Sequence, residues 1–443
     1  MAQTISAAAS PEKRLFISLI TRDISLSDAI LDIIDNSINA ALEPIASRLK
    51  TADDYQNVLA DPKLKAKVTI DVTIGSARIV VRDTAPGISA DVAAKHVFKF
   101  GREDSGENKN DRLSVYGIGL KRAMFKCGNR ITIKSDHAEG GFDLSLDVKR
   151  WQDIRVDPWT FDITTRPPVK TGTGTQIVIT ELYDDVVARI SDGLFINHLR
   201  DLITRTYSFF IDRIVIIKVN DVVINSELFE IGDNYASHKF AYDGVSCNIT
   251  AGIAVVKGDT FRDKNAGWYI FCNGRTVLFA DKTSLTGWGA GLPIYQPKHR
   301  PFFGTVFFVS TDPEALPWTT TKSSINEESA VWQEASRHMT TVGRVITAFL
   351  DRRYSEDGTE IAPRELQSVA GTPVRMLTAA IAVQRAFRPP AAISSKTKTI
   401  SYSAQMADIK RIANHLRRPS MSGSDVGRFT FQHYLKNEVG SDE

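Results

Sequence analysis

Asp32, Asp35 and Asn36 fall within about one helical turn in the run Asp32-Ile-Ile-Asp35-Asn36-Ser37-Ile38-Asn39-Ala40, and no Lys or Arg occurs from Asp23 to Ser47. On a helical wheel Asp28, Asp32, Asp35, Asn36, Asn39 and Glu43 share the side away from the isoleucines. A solvated face of an amphipathic helix would look similar. Solvated faces usually mix in basic residues, however, and uncompensated acids repel at i,i+4. A cation supplied from outside would remove that cost. Asn36 offers a neutral oxygen to Mg²⁺, which keeps waters and phosphate oxygens as its other ligands. Asp32, one turn earlier, is placed to orient or deprotonate an attacking water.

Two glycine-rich stretches follow. Asp83-Thr-Ala-Pro-Gly87 ends a strand pattern at a turn. A turn-forming acid is the plain reading; a carboxylate there can also accept a hydrogen bond from an adenine amino group, and Gly87 would let the base approach the backbone. Gly117-Ile118-Gly119 precedes Leu120-Lys121-Arg122. Exposed N–H groups at a helix start bind phosphate, and Lys121 would add a point charge. The stretch is neither a Walker A loop nor a dinucleotide fingerprint. Thr171-Gly-Thr-Gly-Thr175-Gln-Ile177 leads into a strand, where Thr175 would support the contact made by Asp83. In this order the stretches supply a metal ligand, a base contact and a polyphosphate cradle, and ATP is the ligand they imply.

The elements that must position these residues can be read from periodicity. Ser25, with Asp28 three positions on, resembles a capping box. Ile30, Ile33, Ile34, Ile38, Ala41, Leu42 and Ile45 then form one apolar stripe, predicting a helix over 26–47. Residues 68–82 read as a hairpin about Gly75-Ser76. Residues 100–116 are polar and read as a loop, and 119–127 as a helix. Strand patterns follow at 130–135, 142–148 and 175–180, and a helix at 195–211. Hairpin-connected strands mixed with helices predict an α+β sandwich, a mixed sheet with helices on one face. A second β-rich run starts at Arg213, with strand patterns at 214–224, 245–256, 267–280 and 304–310 and a helix near 329–353. The predicted divisions are 1–212, 213–355 and a helical tail at 356–443, in which Pro389-Pro390 and the Ser/Lys/Thr-rich stretch 394–402 read as linker.

At 443 residues the chain is too long for one ordinary core. Its net charge of +3 excludes a general polycation, so nucleic-acid binding would need a local basic patch. Cys127, Cys247 and Cys272 lie far apart, which argues against a disulfide framework or zinc cluster and fits a reducing compartment. No signal-peptide pattern marks residues 1–10 and no run approaches membrane-spanning length. The expectation is a cytoplasmic protein.

The order of these stretches resembles the GHKL, or Bergerat-fold, ATPases, which include gyrase, the large heat-shock chaperone, MutL, the microrchidia (MORC) proteins and the histidine kinases. Asp32 to Ala40 resembles their N box, Asp83 to Gly87 their first glycine box, Tyr116-Gly117-Ile118-Gly119-Leu120-Lys121 their second, and Gly174-Thr175-Gln-Ile177 their Gly-Thr motif. The resemblance covers about 20–212. It implies Mg-ATP held under a lid at about 99–118, with Asn36 as the metal ligand. The nucleotide contacts it implies come from Asn36, Asn39, Asp83, Gly87, Ile88, Gly101, Tyr116, Gly117, Ile118, Gly119, Leu120, Lys121 and Thr175. Two positions depart from the pattern. The general base is usually Glu where this chain has Asp32, about one methylene shorter, which implies slow water activation. Ala85 stands where Gly is common.

Trp268-Tyr-Ile-Phe-Cys-Asn273-Gly274-Arg275 resembles a strand and turn of the S5-like transducer domains of MutL and MORC proteins. Leu316-Pro-Trp-Thr-Thr-Thr-Lys322 resembles the loop that brings a Lys to the γ-phosphate. The resemblance therefore gives Asp32 and Lys322 catalytic roles and implies dimer closure on ATP. The functional expectation is an ATP-gated dimerising clamp or switch with slow hydrolysis, acting on DNA or in bacterial genome defence. A basic region, 396–418, would contact DNA or a protein partner, a solvated linker being the plainer reading. A non-hydrolysing nucleotide-dependent module is the alternative. A histidine kinase would need a phospho-accepting His before the N box, where none stands. A chaperone would need further domains, and an endonuclease would need a clustered His/Glu/Cys pattern.

Overall fold

The structure is a computed structural model that describes residues 12–61, 63–101, 112–113, 117–153, 159–227, 230–255, 261–357, 371–373, 386–388, 400 and 403–439. Tyr116, Pro389-Pro390, nearly all of the linker at 394–402 and the stretches 102–111 and 114–116 of the expected lid lie outside these residues. The chain forms two compact units, 1–390 and 391–443.

The first unit opens with α1 (Lys13–Arg22) and α2 (Leu26–Leu42). Ser25 caps α2: its Oγ accepts the Asp28 N–H at 3.1 Å. The predicted helix over 26–47 stops being α-helical at Leu42 and continues as a 3₁₀ turn over Glu43–Arg48. Pro44 is the reason: it has no N–H to give and its ring crowds the preceding turn. After α3 (Ala52–Ala60) comes the hairpin β1 (Val68–Gly75) and β2 (Arg78–Asp83). A short helix, α4 (Ala90–Val92), precedes the expected lid stretch in sequence, and α5 (Gly119–Cys127) follows it. The sheet then adds β3 (Gly128–Asp136), β4 (Phe142–Asp147), β5 (Ile163–Thr165) and β6 (Gly174–Leu182), with α6 (Val148–Gln152) between β4 and β5. Helices α7 (Asp184–Ser191) and α8 (Phe195–Tyr207) complete this part.

Two more strands, β7 (Val215–Val219) and β8 (Val222–Ile224), belong to the same sheet, whose order among the described residues is β5-β4-β3-β6-β2-β1-β7-β8. β7 pairs in parallel with β1, from Val68↔Val215 to Val72↔Val219; the other neighbours are antiparallel. The predicted division at 212/213 falls just before these two strands. Val215, Ile217 and Val219 are buried in the same alternation as Val68, Ile70 and Val72, so the first sheet keeps these strands. Ile30, Ile33, Ile34 and Ile38 of α2 are buried in one core with Ile131 and Ile133 of β3 and Ile177 and Ile179 of β6.

The second sheet runs β12-β11-β13-β10-β9-β14. Its strands are β9 (Glu230–Tyr242), β10 (Val245–Val255), β11 (Gly267–Cys272), β12 (Arg275–Asp281), β13 (Phe302–Val309) and β14 (Gly371–Pro373). β11 and β13 are parallel. Every residue of β11 and of β13 is buried, which accounts for their unbroken apolar runs. Helix α9 (Ala330–Asp357) packs on β9, β10 and β13. Beyond the predicted division at 355/356, β14 pairs with β9, and the compact units part after Pro390. The C-terminal unit contains α10 (Met406–His415) and α11 (Gly423–Tyr434). The whole is an α/β sandwich on a mixed sheet, a further α/β part and a helical tail, as the sequence predicts. No helix among the described residues is long and apolar enough to cross a membrane.

Candidate functional site

A pocket opens beside α2, lined by Ile33, Asn36, Ser37, Ala40, Asp83, Gly87, Ile88, Val97, Phe98, Leu120, Ile133, Phe142, Thr175 and Ile177. Six residues named from sequence meet in it: Asn36, Asp83, Gly87, Ile88, Leu120 and Thr175. The walls are apolar and Asp83 is the one ionisable group among them, a composition suited to a flat heterocycle with one amino group. Oδ1 of Asp83 accepts the N–H groups of Ala85 at 3.0 Å and Thr175 at 3.2 Å, and Oδ2 accepts the Ser37 hydroxyl at 2.8 Å. A carboxylate oxygen has two lone pairs, so Oδ2 retains one for a ligand donor. Burial raises the Asp83 pKa, while the bonds from Ser37, Ala85 and Thr175 pull it back.

Ser135, which the sequence reading did not name, is buried behind this contact. Its Oγ accepts the Ile88 N–H at 2.7 Å and lies 3.1 Å from the Thr175 hydroxyl. Gly87 has φ +81°, and a Cβ on it would lie 2.1 Å from the Asp136 carbonyl oxygen. Only glycine fits there.

At the other end of the site stands the start of α5, where no side chain caps the first turn. Its free N–H groups and dipole suit a phosphate. A Cβ on Gly119 would sit 3.4 Å from Cγ of Asp32, so the Asp32 carboxylate abuts the helix start. Gly117 and Gly101 face each other across the two roots of the lid: a Cβ on Gly117 would be 3.2 Å from the Gly101 carbonyl oxygen. Asn36 donates its Nδ2 to the Asp32 carbonyl at 2.8 Å, which leaves Oδ1 as a neutral oxygen donor. This donor suits Mg²⁺, whose remaining positions would go to phosphate oxygens and water.

The centre of the acidic face of α2 is buried rather than solvated: Asp32 is 2% and Asp35 1% exposed. Their cations come from distant parts of the chain. Arg122 of α5 donates Nε at 3.1 Å and Nη2 at 2.5 Å to Oδ2 of Asp32. Lys322 donates Nζ to Oδ2 of Asp35 at 2.6 Å and stands 3.5 Å from Oδ1 of Asp32. Oδ1 of Asp35 also accepts Nε of Arg275 at 3.0 Å and the Tyr207 hydroxyl at 2.7 Å. The loop carrying Lys322 is fixed in turn by Nη1 of Arg275 on the Lys322 carbonyl at 2.7 Å. Burial alone would raise the Asp35 pKa. The Arg275 and Lys322 charges, with the bonds from Lys322 and Tyr207, outweigh it and hold the carboxyl below its ordinary value. Burial and the Asp35 charge push Tyr207 well up.

Two named residues serve the lid roots instead of the pocket. Oδ1 of Asn39 accepts the N–H groups of Arg112 at 3.1 Å and Leu113 at 2.9 Å. The Arg112 guanidinium reaches the Ala46 and Ser310 carbonyls at 2.9 and 3.3 Å, and its own carbonyl accepts Nδ2 of Asn273 at 2.8 Å. Lys121 is buried, and its Nζ donates to the carbonyls of Val97 at 2.8 Å and Lys99 at 2.5 Å, away from the phosphate position expected of it. Burial lowers its pKa to about 8. Lys121 was expected at the phosphates; here the carbonyls of Val97 and Lys99 hold its ammonium.

Residues 24–169, which contain the N box, both glycine boxes and α5, match the family described as histidine kinase-, DNA gyrase B-, and HSP90-like ATPase. This stretch is a GHKL-type ATPase domain. No curated protein matches the chain. The GHKL-type domain was visible in sequence through its boxes. Arg122, Tyr207 and Ser135 carried no such signal, while Arg275 stood in the singled-out Asn-Gly-Arg turn without an assigned role.

Proposed function

We propose that the chain binds Mg-ATP and hydrolyses it slowly to ADP and phosphate, working as an ATP-gated switch of MORC/MutL type that closes between two copies. The observation behind this is the buried meeting of the second part of the chain with the N box, through Lys322 on Asp35 and Asp32. Asp83 would take the adenine amino group, Thr175 and Ser135 would steady that contact, and the start of α5 would hold the phosphates. Asn36 would hold the magnesium, which when bound neutralises phosphate charge. Lys322 would exchange carboxylate for γ-phosphate, so that ATP and ADP leave the second sheet differently held. Arg417, Arg418 and Arg428 line one cleft of the C-terminal unit and are the residues we assign to a DNA partner. We retain 1–212 and 213–355 as functional labels for the nucleotide-holding and responding parts, with β7 and β8 structurally in the first.

The test is the mass of the chain in solution with ATP, ADP and a non-hydrolysable analogue, alongside phosphate release. Dimer formation with the triphosphates alone supports the switch; an unchanged mass with bound nucleotide refutes it. A second reading, a nucleotide-dependent module that does not hydrolyse, is favoured by the engagement of Asp32 with Arg122. Binding and closure without phosphate release would select it.

A further inference from the structure

Arg122 belongs to none of the glycine boxes, yet its guanidinium ends at the phosphate side of the site. It leaves α5 about one turn below Gly119 and folds back to the open end of the helix. There Nε and Nη2 occupy Oδ2 of Asp32, and Nη2 also reaches the Thr320 carbonyl at 3.4 Å. Lys322 faces the other oxygen of Asp32 at 3.5 Å. A general base needs a lone pair turned to water, and in this arrangement Asp32 has given Oδ2 to Arg122.

Charge indicates what would undo this. The cluster holds two carboxylates, Asp32 and Asp35, against three cations, Arg122, Arg275 and Lys322, all buried. Buried charge is costly unless it is balanced, so the cluster favours an arriving anion. Asp35 is held by Lys322, Arg275 and Tyr207. Arg122 is committed to Asp32 alone among the carboxylates. A terminal phosphate on the N–H groups of α5 would lie beside Asp32, because the position of a Gly119 Cβ is 3.4 Å from its Cγ.

We propose that Arg122 transfers from Asp32 to the terminal phosphate of ATP, so that one side chain both detects the third phosphate and frees the base. In hydrolysis the water oxygen bonds to the terminal phosphorus while its proton passes to the released Oδ2 of Asp32. The phosphorus–oxygen bond to ADP breaks and its electron pair leaves on ADP. Arg122 balances the charge that grows on the phosphoryl oxygens. ADP offers no group to draw Arg122 away, so with ADP it stays on Asp32. The proposal rests on the ATP-binding reading above and adds a second phosphate-sensing side chain to Lys322.

The test uses the full chain with Arg122→Gln and Arg122→Lys. Calorimetry with a non-hydrolysable ATP analogue and with ADP, both with magnesium, gives the discrimination between the nucleotides. Loss of a charged hydrogen bond predicts about 10-fold to 100-fold weaker analogue binding by Arg122→Gln. ADP affinity should change less than about twofold, since Arg122 makes no bond to it. Arg122→Lys should fall between, and single-turnover hydrolysis should slow in both. Equal losses for the two nucleotides would make Arg122 a structural group only, and faster hydrolysis would make it only a brake on Asp32; either overturns the proposal. A wild-type chain that binds neither nucleotide refutes the ATP-binding reading itself, a failure distinct from the other two.

Discussion

Asp35 makes the strongest demand on the structure, because one carboxylate holds two cations and a phenol together in the interior. Replacing it with Ala takes the carboxylate from both the Arg275 guanidinium and the Lys322 ammonium, and leaves Lys322 only the 3.5 Å approach to Asp32, which Arg122 already holds. Removing one partner of a buried pair costs about 3–5 kcal/mol. The three bonds to Asp35, at 2.6, 3.0 and 2.7 Å, give no reason to expect less. Asp35→Asn keeps an acceptor for Tyr207 and should lie at the lower end. Urea unfolding followed by tryptophan fluorescence measures this, since all six tryptophans lie between Trp151 and Trp332, in the first unit. Asp28→Asn, at the exposed start of α2, is the control and should cost less than about 1 kcal/mol. Adding Lys322→Met to Asp35→Ala should recover part of the loss, with a coupling of about 0.5–3 kcal/mol. The sign with pH is fixed by the lowered Asp35 pKa. A carboxyl with a depressed folded pKa stabilises fully above its unfolded value and loses that contribution as pH falls through the folded value. The gap between wild type and Asp35→Asn should therefore be full at about pH 7 and shrink only below about pH 4. A shift below about 1 kcal/mol for Asp35→Ala at neutral pH, or a cycle with no coupling, would refute the reasoning.

Asp83→Asn should weaken ATP and ADP alike, by about 10-fold or more, as both carry the same base; isothermal titration reads this, and a loss confined to ATP would remove Asp83 from the base contact. Because burial raises the Asp83 pKa, the wild-type affinity should begin to fall on acidification above the ordinary carboxylate range, and a profile identical in Asp83→Asn would contradict this. Lys121 has its folded pKa lowered to about 8. The unfolded chain then holds more protons from there up to about pH 10, so stability should rise with pH over that interval. Melting temperatures of Lys121→Met should lack this rise, and an identical rise in the variant would sink the assignment.

The apolar stripe of α2 and the alternation in β1 were legible because each is a local period. So were the glycine boxes, whose chemistry is backbone geometry. The fate of the acidic face was not. The same spacing serves a solvated face, a metal site or a buried ion cluster, and only folding brings Arg275 and Lys322 onto Asp35. Lys121 shows the opposite difficulty: a lysine in the first turn of a helix that follows a glycine-rich stretch has the chemistry for a phosphate, but the carbonyls of Val97 and Lys99 reach it first. The return of β7 to the first sheet, past the predicted boundary at 212, was not legible because β7 repeats the apolar alternation of either sheet, and parallel pairing with β1 leaves no local mark. Asn39 was placed on the correct face, but its acceptor meets the backbone of Arg112 and Leu113.

The return of β7 to β1 bears on any attempt to divide the protein. Cutting at 212 would strip β1 of its parallel neighbour and expose a row of unpaired backbone groups. It would also remove Arg275 and Lys322 from Asp35. A fragment meant to isolate the first part would thus carry a raw sheet edge and an interior acid stripped of two of its cations, two marks of an aggregating chain. Residues far apart in sequence here share one compact unit, and a ligand that grips either sheet should raise the temperature at which both are lost.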